Sequence, residues 1–213
     1  MTRFRTTQAL LTLPLMALLA APALAQDAGL YDEVANPDAS FVRVIDADTT
    51  LAMIQSASFD QVDGGVTPYV VIDGATEVDI VSGATTATET VQPATFYSFV
   101  IGADGTSTLI TDKITRSPAQ ADVSFYNLSD IALADLYVPQ AKAVAIKGVA
   151  ANSGGSVALK APLTLDFEVK AGDTVLATVA AVGLVRREGV AIVLSGTAGS
   201  YTATVTANSL SLN

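Results

Sequence analysis

The sequence predicts an all-β protein: two tandem small antiparallel β-sandwich (Ig-like) domains following a cleaved signal peptide. Three observations carry this. Val, Ala, Thr, Ile and Leu dominate the chain, a composition rich in strand formers. Short alternating segments are separated at regular intervals by Gly- and Asp-containing turn signals, the pattern of a sandwich. And the segment Ser40–Asp48 (Ser-Phe-Val-Arg-Val-Ile-Asp-Ala-Asp) returns later as Val123–Asp130 (Val-Ser-Phe-Tyr-Asn-Leu-Ser-Asp).

Aligning Asp46 with Asn127 puts Val42 on Val123 and Val44 on Phe125. These positions are two residues apart, so they share one face of a strand. The repeat continues near the end of each copy. Phe96–Gly102 matches Gly189–Ser195, with Tyr97, Phe99 and Ile101 equivalent to Val190, Ile192 and Leu194. Each of these is followed by a Gly-containing turn and a Thr-rich strand.

Taken in order, the chain opens with a targeting segment. Arg3 and Arg5 make a positive start, Ala9–Ala20 is apolar with Pro14 inside it, and Ala23-Leu24-Ala25 is an A-x-A cleavage site. Residues 1–25 therefore read as a signal peptide cut after Ala25, with the mature protein in the periplasm. The apolar run is too short for a membrane span of about 20 residues. The polar segment 26–39 carries Leu30 and Tyr31 as its bulky apolar residues. It reads either as a loose terminus tucked onto the first domain or as a docking peptide.

Strands are expected at 40–47, 51–59, 69–73, 76–82, 96–102 and 106–115, making a first domain over 40–116. Asp73-Gly74 and Asp104-Gly105 are hairpin signals. Residues 117–121, around Pro118, form the expected linker. The second domain, 122–213, is expected to hold strands at 122–128, 132–138, 143–147, 156–160, 163–170, 173–182, 189–195 and 200–207.

Composition excludes several function classes. Twenty-one acidic residues against eleven basic ones give a net charge of −10, which disfavours nucleic acid and other polyanions bound by charge. The chain has no Cys and no His. Disulfides, Ser-His-Asp and Cys-His catalysis and the common zinc sites are therefore unavailable. No catalytic residue, metal site or cofactor is assigned. Asp46 and Asp48, with Asp60 and Asp63, are the best acidic grouping for Ca²⁺, but they lack the spacing of an ordered calcium loop and read as turn carboxylates.

Arg43 is unusual, lying mid-strand between Val42 and Val44 on the face of Phe41 and Ile45. An outward Phe41, Arg43 and Ile45 would form a partly apolar strip of the kind that marks interaction surfaces. The second domain or the N-terminal segment is a candidate cover for it. Arg186-Arg187 is the one adjacent basic pair after the signal segment. It sits at a turn and is a candidate anchor for a partner's carboxylate. The candidate partner-binding residues are thus Tyr31, Phe41, Arg43, Ile45, Arg186 and Arg187.

Several segments together resemble the AlgF family, accessory proteins of alginate O-acetylation. They are Gly29-Leu30-Tyr31 before a Pro-containing turn, Ser40–Val44, Val123–Asp130 and Gly183–Ala191. The chain departs from the family pattern at Asp32 and Asp46. The resemblance implies two periplasmic β-sandwiches that serve acetylation of an exported polymannuronate-type polysaccharide. It implies periplasmic SGNH-like acetyltransferase and membrane O-acyltransferase components as partners, and brings no catalytic residue. The leading expectation is a non-catalytic adaptor. The alternatives are a stand-alone carbohydrate-binding or adhesion β-sandwich and, third, an enzyme acting on acetyl esters.

Overall fold

The computed structural model describes residues 36–211 apart from Gln61, Gly74 and Ala75. The expected signal peptide, Tyr31 and most of the segment 26–39 lie outside the described residues. Strands dominate, joined by turns that include two short 3-10 segments at Asp63–Gly65 and Pro139–Ala141, with no α-helix among the described residues.

The first half contains β1 (Ser40–Asp46), β2 (Ala52–Ile54), β3 (Ala57–Phe59), β4 (Tyr69–Ile72), β5 (Thr76–Ser82), β6 (Thr85–Val91), β7 (Phe96–Ile101) and β8 (Ser107–Asp112). The second contains β9 (Gln120–Asn127), β10 (Leu133–Val138), β11 (Ala143–Ala150), β12 (Ser153–Lys160), β13 (Leu163–Ala171), β14 (Thr174–Leu184), β15 (Gly189–Thr197) and β16 (Ser200–Ala207). A last short strand, β17 (Leu210–Ser211), follows.

The strands form four sheets, with orders β17-β4-β1-β7-β8, β3-β2-β5-β6, β12-β9-β15-β16 and β11-β10-β13-β14. Leaving β17 aside, each strand of the second half sits where the strand eight places earlier sits in the first. The register repeats as well. Val42 pairs with Tyr97 and Val44 with Phe99, while Val123 pairs with Val190 and Phe125 with Ile192. These are the pairs the sequence alignment makes equivalent. The turn after the first strand repeats too: Asp46 accepts from the Asp48 N–H and Asn127 from the Ser129 N–H, two residues on in each case.

Each pair of sheets encloses its own core, because alternation puts one face of every strand inward. In the first half Val42, Val44, Phe99 and Ile101 pack on Ala52, Ile54, Val78 and Ile80. In the second half Val123, Phe125, Ile192 and Leu194 pack on Leu136, Phe167, Val169 and Leu184.

Several expectations are corrected. Two of the four sheets are antiparallel throughout, as expected; the other two also hold a parallel pair, β1 with β7 and β9 with β15. The chain passes through the opposite sheet between these partners, and a long crossover of that kind permits a parallel neighbour. The strand order also differs from the immunoglobulin sandwich, in which the first two strands share a sheet. The segment 51–59 is a hairpin of two strands, bent at Gln55 with positive φ. Asp73-Gly74 does not close a hairpin: β4 and β5 lie in different sheets, and Gly74 lies outside the described residues. Asp104-Gly105 does join an antiparallel pair.

Two strands escaped prediction. Strand β6 reads Thr-Thr-Ala-Thr-Glu-Thr-Val, so its half-buried face carries little apolar signal. Strand β17 has two residues and belongs to the first half's sheet although it lies in the range expected for the second domain. Strand β9 begins at Gln120, inside the expected linker.

Phe99 and Phe125 are fully buried. Replacing either by Ala is expected to cost roughly 3–5 kcal/mol. Because the halves share a buried interface, both variants should shift one common unfolding transition in guanidinium, followed by circular dichroism and tyrosine fluorescence.

Candidate functional site

The outward faces of the central strands do not reach solvent; they face each other. Ile45 and Val100 of the first half pack with Tyr126, Leu128, Ala191 and Val193 of the second. Strands β1, β7, β9 and β15 are therefore buried on both sides, which explains their near-continuous apolar reading.

Arg43 lies in this interface and is 1% exposed. Its Nε donates to Ser98 Oγ at 2.8 Å, one terminal nitrogen to Asn208 Oδ1 at 2.7 Å and the other to Tyr126 OH at 2.8 Å. Its guanidinium also stacks over the Tyr69 ring, 4.3 Å from the centroid. Asp112 faces it with a nearest N···O distance of 3.9 Å. The Asp112 carboxylate accepts from Tyr69 OH at 2.9 Å, Ser98 Oγ at 2.6 Å and Tyr126 OH. The two hydroxyls of Ser98 and Tyr126 thus relay between cation and anion, accepting from Arg43 and donating to Asp112.

A buried ion pair is tolerable only when its remaining donors and acceptors are satisfied. Here no buried side-chain polar atom among the described residues lacks a partner. Burial works against the Arg43 charge, but the facing oxygens of Tyr126, Tyr69 and Asp112 outweigh it and hold its pKa above the ordinary value. Burial also raises both phenols, against the opposing pull of Arg43: Tyr69 well above its ordinary value and Tyr126 to about 12. Both stay protonated donors at neutral pH.

Beside this network a cleft of about 130 Å³ opens between the halves. Tyr69, Phe96, Ile114 and Arg116 come from the first half and the connection after it. Asp122, Arg187, Glu188 and Gly189 come from the second, and Asn208, Ser209 and Leu210 from the crossing C-terminal segment. Asp122, 2% exposed, uses its carboxylate on the connection, accepting from the N–H and hydroxyl of Thr115 and the N–H of Arg116. The Arg187 N–H donates to Gln120 O at 3.0 Å and the Asp122 N–H to Glu188 O at 2.9 Å. Arg116 and Arg187 both hold left-handed backbone, at φ 47° and 67°, a conformation that costs a non-glycine residue about 1 kcal/mol or more.

The residues singled out from sequence are distributed as follows. Arg43 and Ile45 are covered by the second half, and Phe41 stacks on Phe96 with ring centroids 4.2 Å apart, next to Tyr69. The outward strip of β1 is thus occupied within the chain itself and is not open to a separate partner. Arg187 lines the cleft, whereas the Arg186 Nε donates to Ala161 O. Tyr31 lies outside the described residues. Asp46 is a turn residue, accepting from the Asp48 N–H and the Ser82 hydroxyl. Sequence reasoning missed Asp112, Ser98, Tyr126 and Asn208 as the companions of Arg43. No local signal marked them: Tyr126 shares the outward face of β9 with Asp122 and Ser124, opposite the core residues Val123 and Phe125, and Asp112 shares the outward face of β8 with Ile110.

Two outcomes are expected of the network. Arg43→Met strands the Asp112 charge in the interface and should cost about 3–5 kcal/mol, with the double variant Arg43→Met/Asp112→Leu closer to wild type; a double-mutant cycle in denaturant measures this. The raised phenols also make stability pH-dependent. A raised folded pKa favours the protonated form, so this contribution is intact below about pH 10, the ordinary phenol value. It should fall away as pH climbs toward about 12. Phenolate absorbance should show Tyr69 and Tyr126 ionising late, and Tyr126→Phe should flatten the alkaline loss.

Comparison with known proteins adds a family. The model described as alginate O-acetyl transferase AlgF matches residues 10–191. None of the curated proteins matches the chain. Among solved structures, the C-terminal domain of AlgF from P. aeruginosa is similar at 22% identity, over 42% of this chain and 99% of that one, with a TM-score of 0.38. At that score the likeness carries no argument about structure. The family match runs from ahead of the described residues into β15, and on that span the chain belongs to the AlgF family of alginate O-acetylation proteins.

Proposed function

We propose that the chain is a non-catalytic periplasmic adaptor in the O-acetylation of an exported, alginate-like polysaccharide. It would be exported by the segment 1–25 and would hold a periplasmic SGNH-like acetyltransferase near a membrane O-acyltransferase. The observation that carries this reading is a sequence without a single His or Cys in a family named for acyl transfer. Acyl transfer through an enzyme-bound intermediate needs a nucleophile activated by a neighbouring base. The Ser98 hydroxyl, which donates to Asp112, is fully buried between the halves and accepts from Arg43. Its geometry is that of a structural link. Among the described residues no group of three or more acidic side chains is placed to hold a metal ion, and no helix is long and apolar enough to cross a membrane.

The test has three arms. Purified mature protein should leave acetyl-ester substrates unhydrolysed. A tagged copy expressed in its host should co-purify with an SGNH-like acetyltransferase. Deletion should abolish or strongly reduce acetylation of the polymer. Turnover by the isolated protein would restore the enzyme reading. Unchanged acetylation after deletion, with no acetylation component recovered, would remove the adaptor reading.

A further inference from the structure

We propose that the cleft between the two halves is a docking site for an extended peptide segment of a partner protein. Such a segment would bring one carboxylate to Arg116 and Arg187 and an apolar side chain against Ile114 and Leu210. This inference rests on the adaptor reading and names the surface and the chemistry through which it would act.

Charge is the first argument. In a chain of net charge −10, two arginines from different connections line one cleft. Neither guanidinium makes an ion pair or a side-chain hydrogen bond among the described residues. Two acidic residues share the lining: the exposed Glu188, which pairs with neither arginine, and the buried Asp122, already committed to the backbone of Thr115 and Arg116. Asp122 therefore fixes the Arg116 backbone, and makes no ion pair with the Arg116 guanidinium. Arginine is the residue suited to a carboxylate, because its planar fork gives paired, charge-assisted hydrogen bonds.

The walls supply the second argument. Tyr69 and Phe96 already contact each other edge to face, 5.2 Å apart, and Phe96 is stacked on Phe41. Both rings are rigidly held, and together with Ile114 and Leu210 they give the cleft an apolar side. Leu210 is 38% exposed, an apolar group left at the rim. A cleft of about 130 Å³ suits one anchoring side chain.

Sheet geometry gives the third. Leu210 and Ser211 form β17, which pairs with β4 on one side and is the edge strand of its sheet among the described residues. An edge strand offers backbone donors and acceptors to an added strand, the common mode of extended-peptide recognition. Cleft and edge are continuous through Ser209 and Leu210. A peptide is favoured over a polyuronate because the cleft provides for one carboxylate. A polymer charged at every residue would meet the repulsion of a chain of net charge −10 beyond it.

The probes are a blocked pentapeptide alternating valine and threonine around a central glutamate, its glutamine counterpart, and a short oligouronate. Each is titrated into isotope-labelled mature protein by NMR. The glutamate peptide should perturb the side-chain signals of Arg116 and Arg187 and the amides of Ser209 and Leu210. Binding should weaken about tenfold or more for the glutamine peptide and for Arg116→Gln/Arg187→Gln. Both substitutions are at exposed positions, and unchanged amide spectra elsewhere would verify the fold. No perturbation at millimolar peptide, or equal binding of the glutamine peptide, overturns the proposal. Perturbation by the oligouronate in place of the peptide overturns it in favour of a polymer-binding cleft. Co-purification with the acetylation proteins separates the two readings. If the double variant retains it, the cleft assignment fails and the adaptor stands. If wild type lacks it, the adaptor fails and the cleft is judged by the titration.

Discussion

The arrangement of this protein depends on one buried charge. Arg43 sits in the middle of the first strand, on the side facing away from its own core, and a guanidinium there must be answered by oxygens from elsewhere. They come from Ser98 and Asp112 in the first half, Tyr126 in the second and Asn208 in the segment that returns from it. The cost of removing a cation from water is met only if all of these are in place together. The network is therefore satisfied only with both halves docked and with the C-terminal segment crossing back. An apolar interface alone would tolerate sliding and repacking. A guanidinium with directed bonds to three different parts of the chain selects one arrangement.

The duplicated topology shows how the same framework serves two roles. Both halves use the same strand order and the same pairing between first and seventh strands. Their inward positions hold equivalent apolar residues, since each half needs a core. Their outward positions differ: Phe41, Arg43 and Ile45 on β1 against Asp122, Ser124 and Tyr126 on β9. That difference makes the two faces complementary. Tyr126 inserts its hydroxyl between Arg43 and Asp112, and Asp122 clamps the connection that leaves the first half. Two identical outward faces would have set like groups against each other.

This docking also creates the cleft. Its lining is drawn from both halves and from the crossing C-terminal segment, and its cations come from the inter-half connection and from the β14–β15 turn. The chemistry offered is adhesive: cations, an amide, an apolar wall and a sheet edge. It is set in a chain that belongs to a family of alginate O-acetylation proteins and that contains neither His nor Cys.

The sequence by itself determined the all-β class, the internal repeat and most strands. Alternation and turn residues are local signals, and Val42, Val44 and Phe125 carry them wherever the sheets go. It also marked Arg43 as anomalous, because a charge inside an apolar alternation is visible without coordinates. Only the tertiary structure decided what surrounds Arg43. Its partners are 55, 83 and 165 residues away along the chain, and no periodicity links positions at such separations. The same reason hid β17, which exists through pairing with β4, and the cleft, whose two arginines are brought together by backbone bonds between residues 120–122 and 187–188. Local physics wrote the strands; the long-range satisfaction of one buried cation fixed how they meet.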